Sequence, residues 1–214
     1  MKKNLLALAF LVGLLTCCKS EDAPIKPVKP TDPGSINKEY MSRAETTFAN
    51  IFKYYWSDKV RMMFGSYPNT LGTPQEPSSP DYDSHAYLWG LGSVVSAFNA
   101  IVQNTDNVDF RMTYESRLKE TLLKYYNTTK EPMCFGCFVN PHDQRLYDDA
   151  IWVGIDLADL YSKTKDSWYL DYAKSVWNFV LSGKDDELGG GVYWDENAKD
   201  SKNTCSNAPA VVLA

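Results

Sequence analysis

The sequence predicts an all-α fold, a two-layered α/α barrel of helical hairpins of which about the first half is present. Three observations carry this. After Tyr40 the apolar residues recur at intervals of three and four, the period of an amphipathic helix. Mostly apolar segments alternate with amphipathic ones, as inner helices alternate with the outer helices that cover them. The fourth and fifth segments are joined by "SKTKD", a connection short enough to turn one helix back against the next.

The 214 residues, 44% hydrophobic, suffice for one ordinary domain or a sizeable part of a larger one. A formal net charge of -5 provides no basic surface for a phosphate backbone, which argues against a nucleic-acid partner. Met1-Lys2-Lys3 and the apolar run Leu5 to Leu15 read as a targeting signal too short to span a bilayer. The following Leu15-Thr16-Cys17-Cys18 resembles a bacterial lipobox, where a small residue precedes a cysteine that is acylated and becomes the mature N-terminus. Cys18 suits that role better, since Leu15 and Thr16 then occupy the preferred upstream places, and Cys17 is the alternative. Glu21-Asp22 resembles the export tags of surface lipoproteins. The expected location is the outer membrane, on its cell-surface or periplasmic face, with residues 1–18 as a lipoprotein signal peptide and a lipid anchor as the membrane contact. Residues 19–38 carry prolines at 24, 27, 30 and 33 and form a stiff extended tether. Residues 39–214 form the folded domain, about half of a complete barrel and expected to be monomeric.

In chain order, Phe48, Ile51, Phe52 and Tyr55 mark a first helix ending near Trp56. Glycines and prolines between Arg61 and Tyr82 make a long loop, a feature often tied to function. A second helix from about Ser84, "AYLWGLGSVVSAFNAIV", is apolar almost all round and belongs inside. The third, about Phe110 to Tyr126, is charged and faces outward. The fourth spans about Leu146 to Tyr161, mostly apolar with embedded acids, and the fifth is an amphipathic segment over about Ser167 to Leu181. A Gly-rich loop then leads to a last helix capped by Ser206 or Asn207, with Pro209 in its early turn.

Chemistry concentrates at Asp148-Asp149, in the first turn of the fourth helix. Helix N-termini favour acids, but one acid would satisfy that preference. Two in succession project about 100° apart, so one can cap while the other points elsewhere. Neighbouring Cβ atoms in a helix also lie at roughly the 5 to 6 Å separation that retaining glycosidases use between their two carboxyls, and close carboxylates drive their pKa values apart. Cys134 and Cys137 stand at C-x-x-C spacing, with Cys205, His142 and His85 as further donors; a local disulfide or two buried thiols fits an exported protein better than zinc. Gly189-Gly190-Gly191 lacks the Lys-Ser/Thr of a phosphate loop, so no nucleotide is expected.

"SHAYLWGLGSVVSAFNAI", "RLYDDAIWVGIDLADLY" and "LGGGVYWDENAKDSKNTCSNAPAVVLA", in that order, resemble glycoside hydrolase family 76, the endo-α-1,6-mannanases and their relatives. The resemblance covers about Tyr40 to Ala214. It implies a twelve-helix (α/α)6 barrel and retaining hydrolysis of α-1,6-linked mannan backbones without a metal or other cofactor, Asp148 matching the nucleophile and Asp149 the general acid/base. Ala150 and Asp195 depart from many relatives and bear on fine specificity. Tyr87, Trp89, Tyr193 and Trp194 are candidates for stacking on mannose, and Asn203 and Asn207 for bonding its hydroxyls; Trp89 in the core, Tyr193 and Trp194 under a loop, and Asn207 as a cap are the structural alternatives. The rival functions are a non-catalytic glycan-binding surface lipoprotein, an (α/α)6 glycosidase of different sugar specificity, and a helical scaffold, which gives no reason for the paired aspartates.

Overall fold

The computed structural model describes residues 38–68, 85–139 and 144–214. The signal peptide with Cys17 and Cys18, most of the tether, residues 69–84 of the long loop and His142 lie outside the described residues. Among the described residues six α-helices appear: α1 (Lys38–Tyr55), α2 (Leu88–Asn104), α3 (Val108–Tyr125), α4 (Tyr147–Thr164), α5 (Ser167–Ser182) and α6 (Thr204–Leu213). None of the described helices is long and apolar enough to cross a membrane.

The expected alternation of layers is present. The inner helix α4 packs against α2, α5 and α6, and Ala150, Ile151, Val153 and Leu157 on it are fully buried. Its apolar surface therefore meets neighbours on several sides, which is why its sequence lacks a single polar stripe. The outer helix α3 buries only Phe110, Leu118, Thr121, Leu122 and Tyr125 and leaves its charged residues exposed or half-buried. Phe48 and Phe52 of α1 join Phe98, Phe110 and Tyr114 in an aromatic cluster; Phe48 and Tyr114 meet edge-on at 5.1 Å between ring centres.

Three local features differ from the sequence reading. Among the described residues two antiparallel two-residue ladders occur, β1 (Trp56–Ser57) with β2 (Met62–Met63) and β3 (Tyr126–Asn127) with β4 (Cys134–Phe135). Each prolongs the end of an outer helix, and segments this short hold no readable period. Helix α2 starts at Leu88 rather than near Ser84, its first N–H donating to the Cys137 carbonyl at 2.9 Å. Helix α6 starts earlier than expected, with Asn203 rather than Ser206 or Asn207 at the N-cap, because the Asn203 carbonyl already accepts from the Asn207 N–H at 3.1 Å. Pro209 thus lies inside the helix.

The connections are unequal. Helices α2 and α3 are joined by residues 105–107 and α4 and α5 by residues 165–166, where Lys165 in the left-handed region closes α4 and Asp166 caps α5 through the Trp168 N–H. The connections into α2, α4 and α6 are long. They gather where these inner helices begin: the Tyr147 N–H donates to the Trp194 carbonyl, and the Cys137 N–H to that of Gln144, both at 2.9 Å.

Candidate active site

Asp148 and Asp149 occupy the first turn of α4 at the end that receives the long connections. Both are buried, 8% and 9% exposed, and their helix N-terminus favours negative charge. Their surroundings differ. The Trp194 indole Nε1 donates to Asp148 Oδ2 at 3.2 Å, and the Cys205 thiol bonds the same carboxylate. Asp148 Oδ1 is buried with no hydrogen-bond partner among the described residues. Asp149 is pushed up to about 6 by burial first and by the Asp148 charge second, while a hydrogen bond from the Cys137 thiol opposes the rise. Burial holds that thiol far above the ordinary range, so Cys137 is a permanent donor.

The loop that delivers Trp194 is bolted to the start of α4. Leu146 and Asp195 form an antiparallel bridge, and the Glu196 N–H donates to the Arg145 carbonyl at 3.2 Å. The Arg145 guanidinium, fully buried, grips Glu196 through two nitrogens, donates to the carbonyls of Lys130 and Pro132, and covers the Phe179 ring at 4.7 Å. Farther along, Gly189, Gly190 and Gly191 all take positive φ, and a Cβ on Gly191 would collide with the Asn207 amide.

The structure gathers some of the expected residues and not others. Trp89 is 56% exposed rather than core filler, and with Trp152, 44% exposed, it lines a cavity of about 250 Å³ between α2 and α4 that also touches Ser93, Ser96 and Asp149. Trp194 reaches the pair directly. Tyr87, at the N-cap of α2, is half-exposed with its ring edge-on to Phe138. Asn203 is exposed at the start of α6. Two expectations are corrected. Tyr193 is buried, its hydroxyl bonded to Asp185 and its ring under Lys202 Nζ at 4.5 Å, so no face is open for stacking. The Asn207 amide accepts from the Val192 N–H and donates to the carbonyls of Val192 and Asn203, so it clamps the glycine loop and both its N–H groups are taken. Cys134, Cys137 and Cys205 are free thiols, the first two buried. Among the described residues no three His, Cys, Asp or Glu side chains converge to hold a metal.

Trp152, Arg145, Cys137 and Cys205 belong to the site and were missed as such in the sequence. Trp152 was within reach of it: three residues after Asp149 on a helix, it shares that residue's face. Below the cavity, Ser96 donates to Asp156 at 2.5 Å and Asn99 to the same carboxylate at 2.9 Å, a polar seam that fixes α2 against α4.

The profile of glycosyl hydrolase family 76 matches residues 39–214. Among solved structures, a family 76 glycoside hydrolase (mannosidase) from Bacteroides thetaiotaomicron superposes with a TM-score of 0.67 at 24% identity, covering 82% of this chain and 47% of that one. A family 76 glycoside hydrolase from a bovine strain of the same species gives 0.68 at 29% identity, covering 81% and 37%. An inactive variant of the α-1,6-mannanase of Salegentibacter, with two consecutive aspartates changed to alanine and α-1,6-mannotetrose bound, gives 0.57 at 20% identity, covering 81% and 43%. The chain thus spans less than half the length of these solved relatives. No curated protein matches it.

Proposed function

This chain belongs to glycosyl hydrolase family 76, and from that premise we propose that the full-length protein is a retaining, endo-acting glycoside hydrolase that cleaves α-1,6-mannosidic linkages of mannan backbones. The observation that carries the reading is the unlike environment of two adjacent buried carboxyls. Asp149, whose proton is retained up to about pH 6, protonates the departing glycosidic oxygen. Asp148, oriented by the indole, attacks the anomeric carbon and forms a glycosyl ester. Water, deprotonated by Asp149, then releases the sugar with its configuration retained. Trp89, Trp152 and Tyr87 offer rings to sugar faces, and Asn203 offers an amide to a hydroxyl. The bound α-1,6-mannotetrose of the inactive Salegentibacter variant supports this substrate class. In the same proposal, acylated Cys18 anchors the protein to the outer membrane and the proline tether holds the domain off it.

The test is direct. Full-length protein incubated with unbranched α-1,6-mannan should release oligosaccharides whose first-formed reducing ends are α by proton NMR, and neither Asp148→Asn nor Asp149→Asn should release any. Turnover retained in both variants would overturn the assignment. Mannan binding without product from the unaltered protein would instead establish a glycan-binding lipoprotein.

A further inference from the structure

We propose that Trp194 is a positioning residue for the nucleophile: its indole N–H fixes the orientation of the Asp148 carboxylate, and its role in turnover runs through that bond rather than through stacking on sugar. This deepens the reading above and rests on Asp148 being the nucleophile.

The geometry carries the inference. Nε1 lies 3.2 Å from Asp148 Oδ2, a hydrogen bond to a carboxylate that is itself only 8% exposed. Asp148 Oδ1 has no partner among the described residues, so the indole, beside the Cys205 thiol that bonds the same carboxylate, tethers Oδ2 and leaves Oδ1 to act. A carboxylate free to rotate about its Cβ–Cγ bond would present that oxygen only part of the time; holding reacting atoms in an attack geometry is a large component of catalysis. The donor is itself held. The Trp194 carbonyl accepts from Tyr147, the residue before Asp148, and the Trp194 N–H donates to the Ser201 carbonyl at 3.1 Å. The Leu146–Asp195 bridge and the Arg145–Glu196 pair tie the residues just after Trp194 to those just before Asp148. Indole and carboxylate are thus parts of one clamped unit, although 46 residues separate them in sequence.

The experiment compares Trp194→Phe, which keeps a ring and loses the donor, with Trp194→His, whose Nε2 stands two ring bonds from Cγ as the indole Nε1 does. Both are made in the full-length protein beside Asp148→Asn, with folding checked by circular dichroism. For Trp194→Phe, kcat is expected to fall about 10- to 100-fold, the weight of a hydrogen bond to a charged group, with KM within about twofold. The loss should persist on a dinitrophenyl α-mannoside, whose leaving group needs no proton, because the defect lies in nucleophilic attack. Trp194→His should recover part of the rate. Unchanged kcat in Trp194→Phe, recovery of its rate on the activated substrate, or equal impairment of the Phe and His variants overturns the proposal while inactive Asp148→Asn leaves the nucleophile standing. Turnover in Asp148→Asn overturns both.

Discussion

At the scale of the residue, Asp149 couples chemistry to stability. Its carboxyl titrates near 6 in the folded protein, against about 3.9 for an unfolded chain. The folded state therefore keeps a proton that the unfolded state has released. The stability associated with this group is fully present below about pH 3.9 and is lost as pH rises through about 6. Asp149→Asn, which keeps an oxygen to accept from the Cys137 thiol, is expected to raise stability by about 1–3 kcal/mol at pH 7. The gain should vanish near pH 4; urea denaturation at the two pH values checks it. If the proposed hydrolysis holds, kcat/KM of the unaltered full-length protein on mannan should decline above about pH 6 as Asp149 loses its proton. The adjacent aspartates were legible in the sequence because two acids exceed what a helix start requires. That Asp149 is pushed up to about 6 was not, since burial, the leading cause, depends on packing that no local pattern shows.

At the scale of the element, close approach around α4 is set by an absent side chain. A Cβ added to Gly154 would lie 2.8 Å from Val176 Cγ1 on α5 and 3.0 Å from Leu213 Cδ2 on α6. Gly154→Ala should lower stability by about 1–3 kcal/mol through overpacking. A thermal melt that did not move would show that α5 and α6 can shift outward at no cost. The helices themselves were legible because runs of sixteen to eighteen residues repeat the helical period several times. The two-residue ladders were not, because strand alternation needs a longer run to register. The start of α6 was misread for a different reason. Asn207 has the chemistry of a cap, but its amide is engaged by Val192 in the glycine loop, and the backbone turns at Asn203.

At the scale of the molecule, Arg145 ties the β3–β4 connection, the Trp194 loop and α5 to the start of α4. It is wholly buried, and Glu196, its partner, is held below the usual carboxylate range: burial pushes that acid up, and the bonds from Arg145 and Lys130 more than reverse the push. Arg145→Met removes one half of a buried pair and should lower stability by about 3–5 kcal/mol. The urea midpoint should fall with little change in slope; an unmoved midpoint would show that Lys130, 3.0 Å from Glu196, suffices alone. The layered arrangement was readable from alternating apolar and amphipathic helices, whereas this long-range junction has no local pattern to betray it. The same junction sets a biosynthetic timetable. A chain made from its N-terminus completes α4 and α5, a neighbouring pair joined by a two-residue turn, before Trp194 and Cys205 exist. Until the last stretch of the described chain arrives, Asp148 has neither the indole nor the thiol that bonds it.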